Sequence, residues 1–453
     1  MVEDTLAAFL KKNPDIQDVD AFIIDVNGVA RGKRMPVSSA KKVFSSGLRM
    51  PRSAFAVDIW GQDVLGAKLV LETGDGDGVC KGVPSSLSRA TWVKHPTAQL
   101  IMSMQESDGS PFFADPRHIL KKVLDLYAKK GWTPVVAAEL EFYLVDPKAD
   151  ERGDPQAPIA PRSKVRSRES HMFNLDEMAE FNDVLTEIHD TCRAQNIPTD
   201  TTISENGPGQ FEINLMHGAD ALLAADQAVL MKRVVRNVSR KHGLDATFMA
   251  KPYVGKSGSG LHVHFSILDQ NGKNIFAAPT GNKGTPALRH AVGGLMKAMP
   301  DSMLVFAPNL NSYRRFAPGA HAPTSVSWAY DNRTAAVRIP ESDAVATRLE
   351  HRVAGADANI YLLMAVMLAG AYDGMVNKMN PGPALKGNVW DSKAKLLPNT
   401  LPDALKAFET SPFIAKYFGK HFRGVYAACK QQEKDIMDSR VSSAEIEAYM
   451  RHI

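Results

Sequence analysis

Cysteine is scarce in this sequence. Cys80, Cys192 and Cys429 lie far apart, which excludes a disulfide framework and a Cys-x-x-Cys metal pair and reads as buried, reduced thiols. Charge of one sign is scarce as well: 54 Lys and Arg against 50 Asp and Glu leave a formal net charge of +4 on 453 residues, far from the concentrated positive surface of a dedicated nucleic-acid binder. Long hydrophobic runs are missing. The longest, near Tyr361 to Tyr372, falls short of the roughly 20 residues needed to cross a bilayer and reads as a core helix. The first residues, Met1 to Asp4, carry acid where a secretory signal carries base, and no apolar stretch follows. The expected location is therefore the cytoplasm, with no membrane and no nucleic acid as partner. What is present is a chain with 44% hydrophobic residues, long enough at roughly 150 residues per domain for about one to three domains with proper cores. Small molecules are the expected partners.

The first hundred residues read as short strands and turns. Phe22 to Asp25 leads into Asn27-Gly28, a dipeptide favoured in tight hairpin turns, and the chain returns through Val29 to Lys33. The Gly-rich stretch from Gly74 to Gly78 lacks the later spaced acids of a calcium loop and reads as a turn. Beyond Asp115-Pro116, Ile119, Val123 and Leu126 at helical spacing predict a helix that Gly131 stops. A boundary near residue 110 divides the chain into an expected small domain, 1–110, and a larger one, 111–453. In the larger part strands and helices alternate, a helix is predicted from Ala219 to His242, and residues 147–170 read as a loop or insertion.

Chemistry concentrates in four strand-like segments. A strand's period of two puts Glu139 and Glu141 on one face, with Leu140 and Phe142 on the other. The same geometry groups His262, His264 and Ser266 opposite Val263 and Phe265, and groups Arg348, Glu350 and Arg352. Glu205 and Glu212 flank Gly207-Pro208-Gly209-Gln210. Any one such pair reads as a solvated strand face. If all four converge, five glutamates and a histidine make a pocket of hard donors that suits Mg²⁺ or Mn²⁺ and not a thiolate-type zinc site. A second cluster is basic: Arg314, Arg315, Arg333, Arg338, Arg348 and Arg352. Alone it reads as surface salt bridges; beside the acids, guanidinium forks point to phosphoryl transfer. Gly255-Lys256-Ser257 is not the end of a phosphate-binding P-loop, because Ala250 occupies the earlier glycine position and a strand carrying His262 follows.

With these residues placed, the chain resembles the glutamine synthetase superfamily over nearly its whole length. The resemblance rests on Glu139-x-Glu141, Glu205 through Gly209-Gln210 to Glu212, Lys251-Pro252, Gly258-Ser259-Gly260-x-His262-x-His264-x-Ser266, Asn311-Ser312-Tyr313-x-Arg315, Asn332-Arg333 and Arg348-x-Glu350-x-Arg352, in the family's order. It implies an α+β fold: a small N-terminal β-grasp domain and a catalytic domain whose antiparallel sheet forms a funnel. It also implies a homo-oligomer, a hexamer or dodecamer, with active sites between subunits. By the same resemblance Glu141, Glu205 and Glu212 hold one metal ion, and Glu139, His262 and Glu350 hold another. ATP is the expected co-substrate, with two or more Mg²⁺ or Mn²⁺ per site. His264, Ser266 and Arg348 match nucleotide-contacting positions, and Arg333 and Arg338 match those that meet the nucleotide's transferred phosphate. Arg315 and Arg352, with the loop at Gly258, match those that hold glutamate.

Departures from the family pattern bear on the nucleophile. Ammonia-using members close the site with a flap glutamate, a position that falls here in Pro318 to Pro323 and is occupied by His321. Their aspartate from the neighbouring subunit aligns with Met50-Pro51-Arg52-Ser53, which holds no acid. Fewer carboxylates weaken an ammonium trap. The wording around Glu212, Arg315 and Pro323 to Trp328 is similar to γ-glutamylpolyamine synthetases of the γ-glutamylputrescine type. The expectation is thus an ATP-dependent ligase that joins the glutamate side-chain carboxylate to an organic amine, a polyamine or a monoamine, through a γ-glutamyl phosphate. Arg333, Glu205 and His321 are the expected catalytic side chains, His321 standing either as a base for the amine or as a flap residue that leaves room. Ordinary ammonia-dependent glutamine synthetase and a non-catalytic binding relative are the alternatives. Ser257 stands where the family usually has Asn, and Trp390 where some bacterial relatives have a tyrosine that is adenylylated.

Overall fold

The computed structural model describes residues 2–168, 172–278, 284–317, 320 and 322–453. The chain builds two sheets in succession. The first contains β1 (Asp18–Ile24), β2 (Ala30–Pro36), β3 (Leu48–Pro51), β4 (Asp77–Gly82), β5 (Ser88–Arg89) and β6 (Thr97–Gln105), in the order β2-β1-β6-β4-β3 with β5 also on β6. Strands β1 and β6 run parallel at its centre, and the rest of the ladder is antiparallel. This is the strand content of a β-grasp. The turn between β1 and β2 is wider than a two-residue hairpin: Asp25 Oδ1 accepts the N–H groups of Asn27 at 2.9 Å and Val29 at 2.8 Å, and Gly28 takes φ +78°.

Two expectations for this region need correction. Helices Val2–Lys12 and Val37–Phe44 join the strands, the second with Ala40, Val43 and Phe44 buried on one face. The Gly74 to Gly78 turn is shorter than predicted, since β4 already begins at Asp77.

The second sheet contains β7 (Thr133–Val145), β8 (Thr199–Ser204), β9 (Gln210–Leu215), β10 (Asp245–Thr247), β11 (Leu261–Leu268), β12 (Trp328–Tyr330), β13 (Val337–Ile339) and β14 (Leu349–His351). Its order is β12-β13-β14-β11-β7-β9-β8, with β10 also on β7. The ladder is antiparallel, as expected, except for the parallel edge pair β12–β13. Along β7 burial alternates from Pro134 to Phe142, the signature of one face in the core and one turned to a site.

Helices cover the core face. The predicted helix near residue 119 spans Pro116–Ala128, started by the Asp115 side chain accepting from Arg117 N at 2.9 Å. Ile119 and Val123 are buried, Leu126 only partly. The helix predicted from Ala219 runs Ala221–Lys241, capped by Asp220. The apolar run forms Ile360–Val376, buried almost all round. It crosses Pro286–Ala298 at a distance set by glycine: a Cβ on Gly294 would lie 2.1 Å from Gly370 O, and one on Gly374 2.1 Å from His290 O. All three cysteines are buried and free, and among the described residues no helix is long and apolar enough to cross a membrane.

Candidate active site

Strand register assembles the site. On β7, Leu140 and Phe142 are fully buried while Glu139 and Glu141 face away from the core. Glu139 is opposite His262 on β11 and Asn214 on β9, and Glu141 is opposite Glu212 on β9. His264 is opposite Glu350 on β14, which is opposite Arg338 on β13. Side chains more than 200 residues apart in the chain thus share one face because the sheet has a period of two and a fixed register.

The contacts follow. Glu139 Oε1 lies 2.8 Å from His264 Nε2, and its Oε2 lies 3.3 Å from His262 Nδ1. Arg348 Nε donates to His264 Nδ1 at 3.2 Å, which leaves Nε2 as the protonated nitrogen that donates to Glu139. Glu350, 1% exposed, takes Arg338 Nη1 on one oxygen at 2.9 Å and Arg352 Nη1 on the other. Potential ligand atoms of Glu139, His262 and Glu350 lie within 4.8 Å of one another, and so do those of Glu141, Glu212 and His262. His262 therefore borders both groups. Glu205, just past β8, belongs to neither, although its charge is felt by Glu212 and it feels those of Glu141 and Arg333.

Electrostatics divide the acids into two kinds. Burial acts upward on Glu139 and Glu350, but hydrogen bonds from His262 and His264 hold the first well below the usual carboxylate range, and Arg352 with the two histidines holds the second below it. Glu212 and Glu205 have weaker compensation, a hydrogen bond from Asn214 for the first and the Asn206 N–H with the charge of Arg333 for the second, and burial prevails. Burial, reinforced by Glu139, Glu141 and Glu205, pushes Glu212 up to about 9; burial and Glu141 push Glu205 up to about 7. Two carboxylates about 5 Å apart at an effective dielectric of about 20 repel by roughly 3 kcal/mol. Hard oxygen donors, one imidazole and a poorly compensated negative charge form a donor set that fits divalent cations of the Mg²⁺ or Mn²⁺ type.

Beside the acids lies a second lining. Arg315 is buried on its short 3₁₀ turn Leu310–Arg315, its Nη1 donating to Val353 O at 2.8 Å, and burial presses its guanidinium downward from its ordinary value. Arg352 Nε donates to Arg333 O at 3.1 Å, while the Arg333 side chain is exposed. Ser266 shares the outward face of β11 with His264. Gly258 passes so close to Arg315 that a Cβ there would sit 2.8 Å from its Cγ, and Tyr143 Oη donates to Ser257 O at 2.7 Å. His321 lies outside the described residues. Arg52, in the stretch Met50 to Ser53, is paired with Glu106.

Three residues of the site had no role assigned from sequence. Gln210 Nε2 donates to Glu141 Oε2 at 3.2 Å and to Gly258 O at 3.1 Å, joining the acidic face to the Arg315 loop. Its signal was present, since it lies two residues from Glu212 on the same strand. Gly260 donates its N–H to Glu141 Oε2 at 2.8 Å, and a Cβ there would lie 3.0 to 3.1 Å from Arg315 Nη2, Glu141 Oε1 and His262 Nε2. Asp357 accepts from Asn309 Nδ2 at 2.8 Å and Ser312 Oγ at 2.6 Å, bracing the turn that carries Arg315. No local pattern announces it.

Comparison with known proteins agrees with this geometry. Residues 113–449 match the family described as glutamine synthetase, catalytic domain. The gamma-glutamylputrescine synthetase PuuA of Escherichia coli K12 is 40% identical over 98% of this chain and 94% of its own length. A glutamate–isopropylamine ligase of a Pseudomonas species is 31% identical over 98% of this chain and 96% of its own. A solved GmaS/ADP complex superposes with a TM-score of 0.85 at 28% identity, covering 98% of this chain and 99% of that one. The chain belongs to the glutamine synthetase family.

Proposed function

We propose that the protein is an ATP-dependent carbon–nitrogen ligase that joins the side-chain carboxylate of glutamate to an organic amine. The observation that carries this reading is end-to-end similarity to two glutamate–amine ligases, the putrescine and isopropylamine enzymes, by a chain whose second sheet gathers Glu139, Glu141, Glu212, His262 and Glu350 on one face. Members of the family use ATP and divalent metals. Here Glu139, His262 and Glu350 would hold one ion and Glu141, Glu212 and Glu205 a second, either Mg²⁺ or Mn²⁺. Bound there, the ions would neutralise charge developing on the transferred phosphoryl group.

The chain's own residues supply the rest. A carboxylate resists amine attack because it is anionic and would have to expel oxide. Glutamate's side-chain oxygen therefore attacks the γ-phosphorus of ATP, ADP leaves, and the resulting acyl phosphate carries a good leaving group. Arg315 and Arg352 are the proposed guanidinium partners of glutamate, with the backbone at Gly258 beside them. His264, Ser266 and Arg348 are the proposed nucleotide contacts. Arg338 and Arg333 are the proposed partners of the phosphoryl oxygens. The amine nitrogen then attacks the acyl carbon, phosphate departs, and the nitrogen gives up a proton, a role for which His321 is proposed. By the same resemblance we propose a homo-oligomeric ring with active sites between subunits, which light scattering of the purified protein tests directly.

The intermediate is tested by isotope transfer. With glutamate labelled with ¹⁸O in its side-chain carboxylate, one label per turnover is expected in inorganic phosphate when an amine is present. Unlabelled phosphate excludes the acyl phosphate route.

A further inference from the structure

Away from the acidic face, the β1–β2 turn, the helix Ala221–Lys241 and the loop at 355–359 enclose a cavity of about 730 Å³, and no proposed metal, nucleotide or glutamate ligand lines it. That volume lies within the roughly 300 to 1,000 Å³ of small-molecule pockets. One helix face dominates its charge. Lys232 and Arg236 stand one turn apart, with Arg233 alongside.

These three cations are poorly compensated. Lys232 Nζ donates to two backbone carbonyls, Ala356 O at 2.5 Å and Ala358 O at 3.3 Å. Arg233 Nε donates to Gln99 Oε1 at 3.0 Å, and its guanidinium lies 4.4 Å from the centre of the Phe22 ring. Arg236 lies over Phe248 at 5.2 Å, as does Lys232. Among the described residues none of the three has a carboxylate at ion-pair distance, whereas Arg240, a turn further on, pairs with Asp245 at 3.1 Å. The two acids of the lining hold other partners, Asp357 Oδ2 with Asn309 and Ser312 and Glu433 Oε2 with Lys430 at 2.8 Å, and the charge of Asp357 acts upward on Lys232 without offsetting its burial. Lys232 and Arg233 are half-buried and Arg236 is exposed; burial acts downward on the first two, taking Lys232 to about 7. Gathering like charges in a partly desolvated space is costly unless an anion joins them. Val229, Met249, Ile360 and Leu401 give the cavity an apolar wall.

We propose that this cavity is a second ligand site, built for an organic anion of about nucleotide size whose phosphate or carboxylate head meets Lys232, Arg233 and Arg236 and whose body lies on the apolar wall. Its position couples it to the ligation site. The carbonyl that Lys232 holds belongs to Ala356, whose N–H donates to Ser259 O at 3.0 Å beside Gly258, and the neighbouring Asp357 braces the turn carrying Arg315. Occupancy therefore changes the KM for glutamate more than kcat.

The test uses the full-length oligomer with the nucleotide subsite saturated by Mg²⁺ and ADP, and 8-anilinonaphthalene-1-sulfonate as a fluorescent anion with an aromatic body. The expected result is one saturable site per chain, displaced by AMP and not by adenosine. In Arg236→Glu, affinity falls by about tenfold or more while kcat at saturating substrates is unchanged; in Arg236→Lys, binding persists. Competition by citrate better than by AMP assigns the head group to a carboxylate and supports the site equally. Probe binding that is unaltered in Arg236→Glu, or displaced equally by adenosine, overturns the proposal. A glutamate KM that does not respond to AMP in the unmodified protein, at ATP concentrations that saturate the nucleotide subsite, overturns the coupling.

Discussion

At the scale of single residues, the acidic face was legible because a strand needs no long-range information to place every second side chain together. Glu139 with Glu141, and His262 with His264, lie where a period of two puts them. Gly260 was not legible as a functional residue. Its role depends on three side chains from β7, β11 and the Arg315 turn closing around the missing Cβ. Gly260→Ala is expected to leave thermal stability within about 1 kcal/mol but to raise the KM for glutamate by about tenfold, as Arg315, Glu141 and His262 give way by tenths of an ångström. Steady-state kinetics beside a melting curve check both halves. Gln210→Ala removes the two donors that join Glu141 to Gly258 O. The expected outcome is weaker metal and glutamate binding together, by about five- to tenfold each; a change in one constant alone argues that the amide couples nothing. Glu350→Ala is expected to lower activity by more than about 100-fold, because it removes a metal-group carboxylate and the ion-pair partner of Arg352, and leaves Arg338 held by Asp331 alone.

Elements were legible in proportion to their length and regularity. The apolar run around residues 361–372 and the periodic segment after Asp220 became the helices Ile360–Val376 and Ala221–Lys241 within a few residues of expectation. Val37–Phe44 was missed because eight residues between strands give barely two turns of periodicity. Sequence also had no means of showing which helices touch. The crossing of Pro286–Ala298 with Ile360–Val376 rests on paired glycines, and a methyl group on Gly294 meets the backbone oxygen of Gly370, which has no side-chain freedom with which to retreat. Gly294→Ala is therefore expected to destabilise by about 3 kcal/mol, read as a fall in Tm, with the mean geometry of the acidic face retained in any protein that folds.

For the whole molecule, the acidic face relieves its own charge by holding protons until cations take their place. Without metal, the carboxyls of Glu205 and Glu212 are raised from about 4.5 to about 7 and about 9, so the folded chain holds protons that the unfolded chain releases. Their contribution to stability is complete below about pH 4.5 and is lost as pH rises through those values. Metal binding needs the ionised carboxylates and displaces the protons. The increase in Tm on adding Mg²⁺ or Mn²⁺ to EDTA-treated protein is thus expected to be larger at pH 8.5 than at pH 6; an increase independent of pH counts against Glu205 and Glu212 as ligands. What most needed the complete fold was the junction between the first sheet and the catalytic helices, where Asn359 Nδ2 donates to Asp25 O at 2.9 Å across more than 300 residues of chain.

The central claim is the identity of the nucleophile. The most direct measurement incubates the purified oligomer with ATP, glutamate and Mg²⁺ or Mn²⁺, offers ammonium, putrescine, spermidine, ethanolamine and simple monoamines in parallel, and identifies each product by mass. A γ-glutamyl amide formed from one of the organic amines with higher kcat/KM than glutamine from ammonium is the predicted result. Ammonium as the best nucleophile, yielding glutamine, would contradict it.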